Sequence, residues 1–115
     1  MNEGDVILTP LPQADGMLKH PPAVVLREMP PYGDFLVCGV STQMQLMVSG
    51  FDEPIIGKDD DFAGSGLMAD SLIRLGFLAV LPRKNIMGSI GTIARERQRR
   101  LLQRLSDYLL KNHTN

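Results

Sequence analysis

Lys19-His20-Pro21-Pro22 sets a cation and an imidazole directly against two prolines, and the prolines run straight into the apolar Ala23-Val24-Val25-Leu26. An imidazole changes charge near neutral pH and can give or take a proton, so a histidine held in a fixed place is a candidate acid–base group. The prolines supply the fixity, because each locks its own φ and removes an N–H donor. The plainer account of the same residues is an exposed loop whose prolines stop it from pairing with a sheet edge. The residues alone leave both accounts open.

Other side chains could serve a phosphate or a nucleic-acid backbone. Ser41-Thr42-Gln43 follows an apolar run, where the hydroxyls either contact phosphate or cap a strand end locally. Arg74 alternates with Ile73 and Leu75, so it faces outward, toward nucleic acid or an acidic neighbour. Arg27 follows the buried run and could reach a backbone phosphate or stay near Glu28. Cys38 lies in an apolar stretch and reads as core. Asp59-Asp60-Asp61 lacks the glutamate that a calcium loop requires and reads as a solvated turn. The sequence has no GxGxxG, no P-loop lysine motif and no Cys/His cluster at metal-ligand spacing; its two histidines are His20 and His113. No cofactor and no metal site is expected.

The chain has 115 residues and a formal net charge of −1. That length fits a single domain over 1–115, with enough chain to bury a core unaided. Residues 1–82 carry four basic and eleven acidic side chains; residues 83–115 carry eight and two. Arg95, Arg97, Arg99, Arg100 and Arg104 crowd the C-terminal part. Either they meet RNA or an acidic partner, or they are ordinary helix surface. Four of the five lie in the first helical turns, where the helix dipole disfavours cations. A single cysteine, the lack of a signal peptide and the lack of any apolar run near 20 residues make the cytoplasm the expected setting, with no membrane contact.

The elements that must hold these residues follow from apolar period and from proline and glycine breaks. Strands are expected at 4–9, 22–28 and 35–40, with a loop over 10–21 and a turn over 29–34. Met44–Gly50 reads as a looser strand or edge, 52–66 as an exposed acidic loop with one helical turn, and 67–70 as a short strand. A longer strand pair, or a single strand bent at Gly76, is expected over 71–82, and another strand over 87–93. From Ala94 to Leu110 apolar residues recur at helical spacing, giving the one long helix. The fold class is therefore mainly β with a C-terminal helix, a small curled antiparallel sheet or barrel.

The order of these pieces resembles the PemK/MazF family of toxin endoribonucleases from toxin–antitoxin pairs. The resemblance is carried by GDVILTP (4–10), HPPAVVL (20–26), VSTQ (40–43), SLIRL (71–75) and IGTI (90–93). It implies a small Src-homology-3-like β-barrel and a homodimer with RNA bound across the dimer face. It also implies metal-independent cleavage of single-stranded RNA, a cognate antitoxin, and operator DNA bound together with that antitoxin. Carried over residue by residue, Ser41 matches the family's phosphate-binding hydroxyl, with Thr42 and Gln43 beside it. The family's arginine ahead of P-A-x-V-L falls on Pro21, which can neither donate a hydrogen bond nor hold charge. His20, or Lys19 next to it, is the candidate stand-in. Together with this resemblance, the reading gives His20 and Ser41 as catalytic candidates, and Lys19, Arg27, Thr42, Gln43 and Arg74 as RNA-binding candidates. The alternative is a catalytically weak or inactive barrel that binds nucleic acid or protein.

Overall fold

The computed structural model describes residues 1–10 and 20–111. Six strands form one sheet: β1 (Asp5–Leu8), β2 (Pro22–Met29), β3 (Asp34–Ser41), β4 (Glu53–Ile55), β5 (Ser71–Leu81) and β6 (Gly88–Thr92). Their order is β4-β5-β3-β2-β1-β6, and each neighbouring pair is antiparallel. The sheet curls into a half-barrel, as the sequence led us to expect. A short helix α1 (Phe62–Ser65) lies on β6, and the long helix α2 (Arg95–Leu109) ends the described chain.

The unbroken apolar run Ala23–Leu26 has a direct cause, which is that β2 is covered on both faces. On one face, Val24, Leu26, Cys38, Val40, Ile73 and Leu75 pack against Leu101 and Leu105 of α2. On the other, Ile7, Ala23, Val25, Phe35 and Val37 form a smaller core with Ala79, Leu81 and Ile86. Cys38 is wholly buried in the first core, and burial pushes its thiol pKa up to about 12. That makes it inert at neutral pH.

The bend expected at Gly76 is a bulge. The β3–β5 register pairs Cys38 with Leu78 and then Gly39 with Arg74, so residues 75–77 have no partners on β3. The orphan amide of Leu75 donates instead to Oδ1 of Asp52, at 3.0 Å. The other oxygen of that buried carboxylate accepts from the amide of Val48, at 2.9 Å. One aspartate therefore ties the bulge to the loop that follows β3.

Three expectations need correction. Met44–Gly50 is not a strand: it holds a single 3₁₀ turn, Met44–Leu46, with no buried residue. Residues 67–70 form turn and bend, not a strand. The acidic segment 52–66 is not a solvated loop, because Asp52, Glu53 and Ser65 are buried and Glu53–Ile55 pairs with β5. No helix among the described residues is long and apolar enough to cross a membrane.

Candidate nucleic-acid interface

Strand pairing gathers part of the expected site. Arg74 lies opposite Gly39, and Ser41 lies opposite Leu72 two places further along the same strands. Paired residues share a face, and so do residues two apart, so Arg74 and Ser41 project from the sheet face turned away from α2. Arg74 is half-buried and has no hydrogen bond or ion pair among the described residues. A guanidinium without a carboxylate partner beside a hydroxyl is suited to an anionic oxygen.

Ser41 Oγ accepts a hydrogen bond from the amide of Gln43, at 3.0 Å. That bond turns the chain at the end of β3 and leaves the hydroxyl proton free to be donated. Thr42 and Gln43 are exposed just beyond it.

His20 is exposed, and its position is set by Thr9, the residue after β1. Its Nδ1 lies 3.3 Å from the carbonyl oxygen of Thr9. A carbonyl can only accept, so the bond requires the proton on Nδ1, and in the neutral ring Nε2 is then the acceptor. Thr9, wholly buried, also fastens the next residue, because its amide and its Oγ1 both donate to the Pro21 carbonyl, at 3.2 and 3.1 Å. The β2–β3 register pairs Ala23 with Gly39. Two residues further in that register would set Pro21 level with Ser41, and His20 level with Thr42. The fixity expected from the prolines thus comes equally from Thr9, a residue the sequence did not single out. Its only signal is a hydroxyl directly before Pro10.

Arg27 is placed elsewhere. It lies toward the far end of β2, opposite Leu36, and its Nη1 donates to Glu3 at 3.2 Å. At about 3.3 Å per strand residue, it stands roughly 20 Å from Pro21. Lys19 lies outside the described residues.

The helix arginines divide into two groups. Arg97, buried at 7 % exposure, directs its guanidinium to Glu53 at 2.7 Å, Asp61 at 2.7 Å, Asp59 at 3.1 Å and the Pro54 carbonyl at 2.9 Å. Arg100 reaches both oxygens of Glu53, and Arg104 donates to the Asp52 carbonyl at 3.0 Å. Asp61 is held below the usual carboxylate range, chiefly by its hydrogen bond from Arg97. Burial works against the charge on Arg97, but Asp61 and then Glu53 outweigh it and raise its pKa. Glu53 raises that of Arg100 by accepting its hydrogen bonds. These three arginines anchor α2 to the acidic segment, whereas Arg95 and Arg99 make no hydrogen bond or ion pair among the described residues. Among the described residues no three His, Cys, Asp or Glu side chains are grouped to hold a metal.

A sequence profile of PemK-like, MazF-like toxins of type II toxin–antitoxin systems matches residues 2–109. A search of curated protein sequences returns no match. Among solved structures, the Mycobacterium tuberculosis toxin MazF-mt6 superposes with a TM-score of 0.68 at 17 % identity, covering 95 % of this chain and 99 % of that one. At that identity the superposition speaks for the fold, and the profile speaks for the family. The chain belongs to the PemK-like, MazF-like toxins of type II toxin–antitoxin systems.

Proposed function

We infer that the chain is an endoribonuclease toxin that cuts single-stranded RNA without a metal ion. The observation that carries this reading is that Ser41 and Arg74, which has no hydrogen bond or ion pair among the described residues, lie on one sheet face, at the strand end nearest the fastened His20. Cleavage by the ribose 2′-hydroxyl needs a proton acceptor, donors for the charge on the phosphorane, and a proton for the departing 5′ oxygen. Nε2 of His20 takes the 2′-hydroxyl proton as the 2′ oxygen bonds to phosphorus; the P–O5′ bond then breaks, leaving a 2′,3′-cyclic phosphate, and solvent water protonates the departing 5′ oxygen. Arg74 and the Ser41 hydroxyl meet the non-bridging oxygens, and Thr42 and Gln43 extend the contact along the strand. Arg27 is too distant to join this site and would touch only a longer RNA.

The working unit in this reading is a homodimer in the cytoplasm, held in check by a cognate antitoxin and able to bind operator DNA with it. The outer edge of β5 supports the dimer. β4 pairs with Ser71–Ile73, so among the described residues no strand lies against the outer edge from Gly76 to Leu81, where Leu78 and Val80 are exposed. Such an apolar edge carries no charged residue to keep another strand away.

Pro21 favours a second reading, a barrel that binds RNA or protein without cutting. Incubating the purified protein with a long single-stranded RNA in excess EDTA separates the two. Cleavage supports the enzyme and its independence of metal. Tight binding without cleavage, with or without added magnesium, supports the binding module.

A further inference from the structure

Phe77 does not sit where a phenylalanine of this fold needs to sit. Of the four phenylalanines, Phe35 is wholly buried, Phe51 packs on the ring of Tyr108 and Phe62 packs against the larger core. Phe77 keeps 49 % of its surface open. It is the last residue of the β5 bulge, and its ring lies over Gly39: a Cβ added at Gly39 would stand 2.8 Å from Cδ1 of Phe77 and 3.3 Å from Cγ. Any side chain at position 39 would lift the ring. A glycine within an otherwise apolar strand therefore makes the bed on which the ring rests.

That bed is also where Arg74 lies, because Gly39 is its partner across the strands. An open aromatic ring lying over Gly39, a guanidinium with no described partner opposite Gly39 and the Ser41 hydroxyl two residues along thus share one face. The buried carboxylate of Asp52 fixes the bulge between ring and guanidinium through the Leu75 amide. Single-stranded nucleic acid is held by this combination of an aromatic face for a base and a cation for the adjoining phosphate.

We propose that Phe77 is the stacking platform for one unpaired nucleobase of the RNA, set beside the phosphate that Arg74 and Ser41 bind. This rests on the RNA-cutting reading above and adds to it a recognition element made of a ring, which takes any base by its face and leaves discrimination to edge contacts. Only one base is held this way, because among the described residues no second exposed phenylalanine or tyrosine lies beside Gly39.

The test uses randomised single-stranded 2′-O-methyl octamers, which lack the attacking hydroxyl, and the same pool with one abasic position moved along the chain. Phe77→Leu should weaken binding about 5- to 100-fold and Phe77→Tyr should restore it. Gly39→Ala, which displaces the ring, should weaken it in the same way. At one position only, the abasic change should cost the parent protein heavily and cost Phe77→Leu nothing. Equal binding by Phe77→Leu and parent, or a loss indifferent to the abasic position, overturns the platform and leaves the RNA reading intact. A parent that neither binds nor cuts RNA removes that reading and the platform with it. Sedimentation showing that Phe77→Leu abolishes self-association while RNA binding by the remaining monomer is unchanged also overturns the platform, and assigns the ring to a contact between copies.

Discussion

Replacing Arg97 by methionine separates a structural helix arginine from a partner-facing one. The side chain makes five hydrogen bonds, reaching three carboxylates and one carbonyl. Methionine keeps most of the stem volume and removes the charge. Breaking a buried ion pair from one side costs about 3–5 kcal/mol, because the remaining charge is left without compensation. Here the residue of that cost is reduced, since Glu53 keeps Arg100 and Asp61 keeps the Ala94 amide, at 3.0 Å. The low end, about 3 kcal/mol, is therefore expected. For a domain of this size that corresponds to a fall of about 12 °C in melting temperature. Arg100, whose side chain is 47 % exposed, forms a screened pair and should cost about 1 kcal/mol or less as Arg100→Met. Arg99→Met, at an exposed position, should stay within about 0.5 kcal/mol. Thermal and urea unfolding followed by circular dichroism read all three. An Arg97→Met protein that melts within 2–3 °C of the parent, the scale of a plain surface change, would refute the anchoring argument.

Three further outcomes are expected. Because the folded-state pKa of Asp61 is lowered from 3.8, its contribution is present above that value and lost as pH falls through the depressed one; melting temperature against pH should show the gap between parent and Asp61→Asn closing below about pH 4. His20→Ala should lower RNA cleavage about 10²- to 10⁴-fold with unchanged melting temperature, and Pro21→Arg should raise cleavage, both read as initial rates on a long single-stranded RNA. Sedimentation at micromolar concentration should find a dimer, and Val80→Lys on the open β5 edge should shift it to monomer; a parent that stays monomeric counts against the dimer.

The strands were legible where burial imposes a period or fills both faces, as at Ala23–Leu26, and the helix where Leu101 and Leu105 recur at a turn's spacing. β4 was not legible, because Glu53-Pro54-Ile55 holds one charge and one proline in three residues and its burial depends on Arg97, 44 residues away. The same distance hid the purpose of the Asp59–Asp61 run: a local reading sees only three acids and water. Arg74 and Ser41 could each be picked out by type, but not their common face, since that depends on a bulge held by Asp52.

Pro21 marks the division between what the fold requires and what chemistry requires. In the described contacts the fold uses Pro21 through its carbonyl, which receives both the amide and the hydroxyl of Thr9. Every amino acid has that carbonyl, so these bonds do not select proline over arginine. An arginine there would keep both bonds while adding a guanidinium level with Ser41, and would give up only the fixed φ. If the resemblance places the family's arginine at residue 21, its loss therefore costs the barrel little and bears on the proposed reaction. If a guanidinium restored at residue 21 speeds cleavage, the rest of the site is intact and His20 has been covering for it. If it does not, while His20→Ala is also silent, Ser41, Arg74 and the open ring of Phe77 remain as a surface that grips RNA without cutting it.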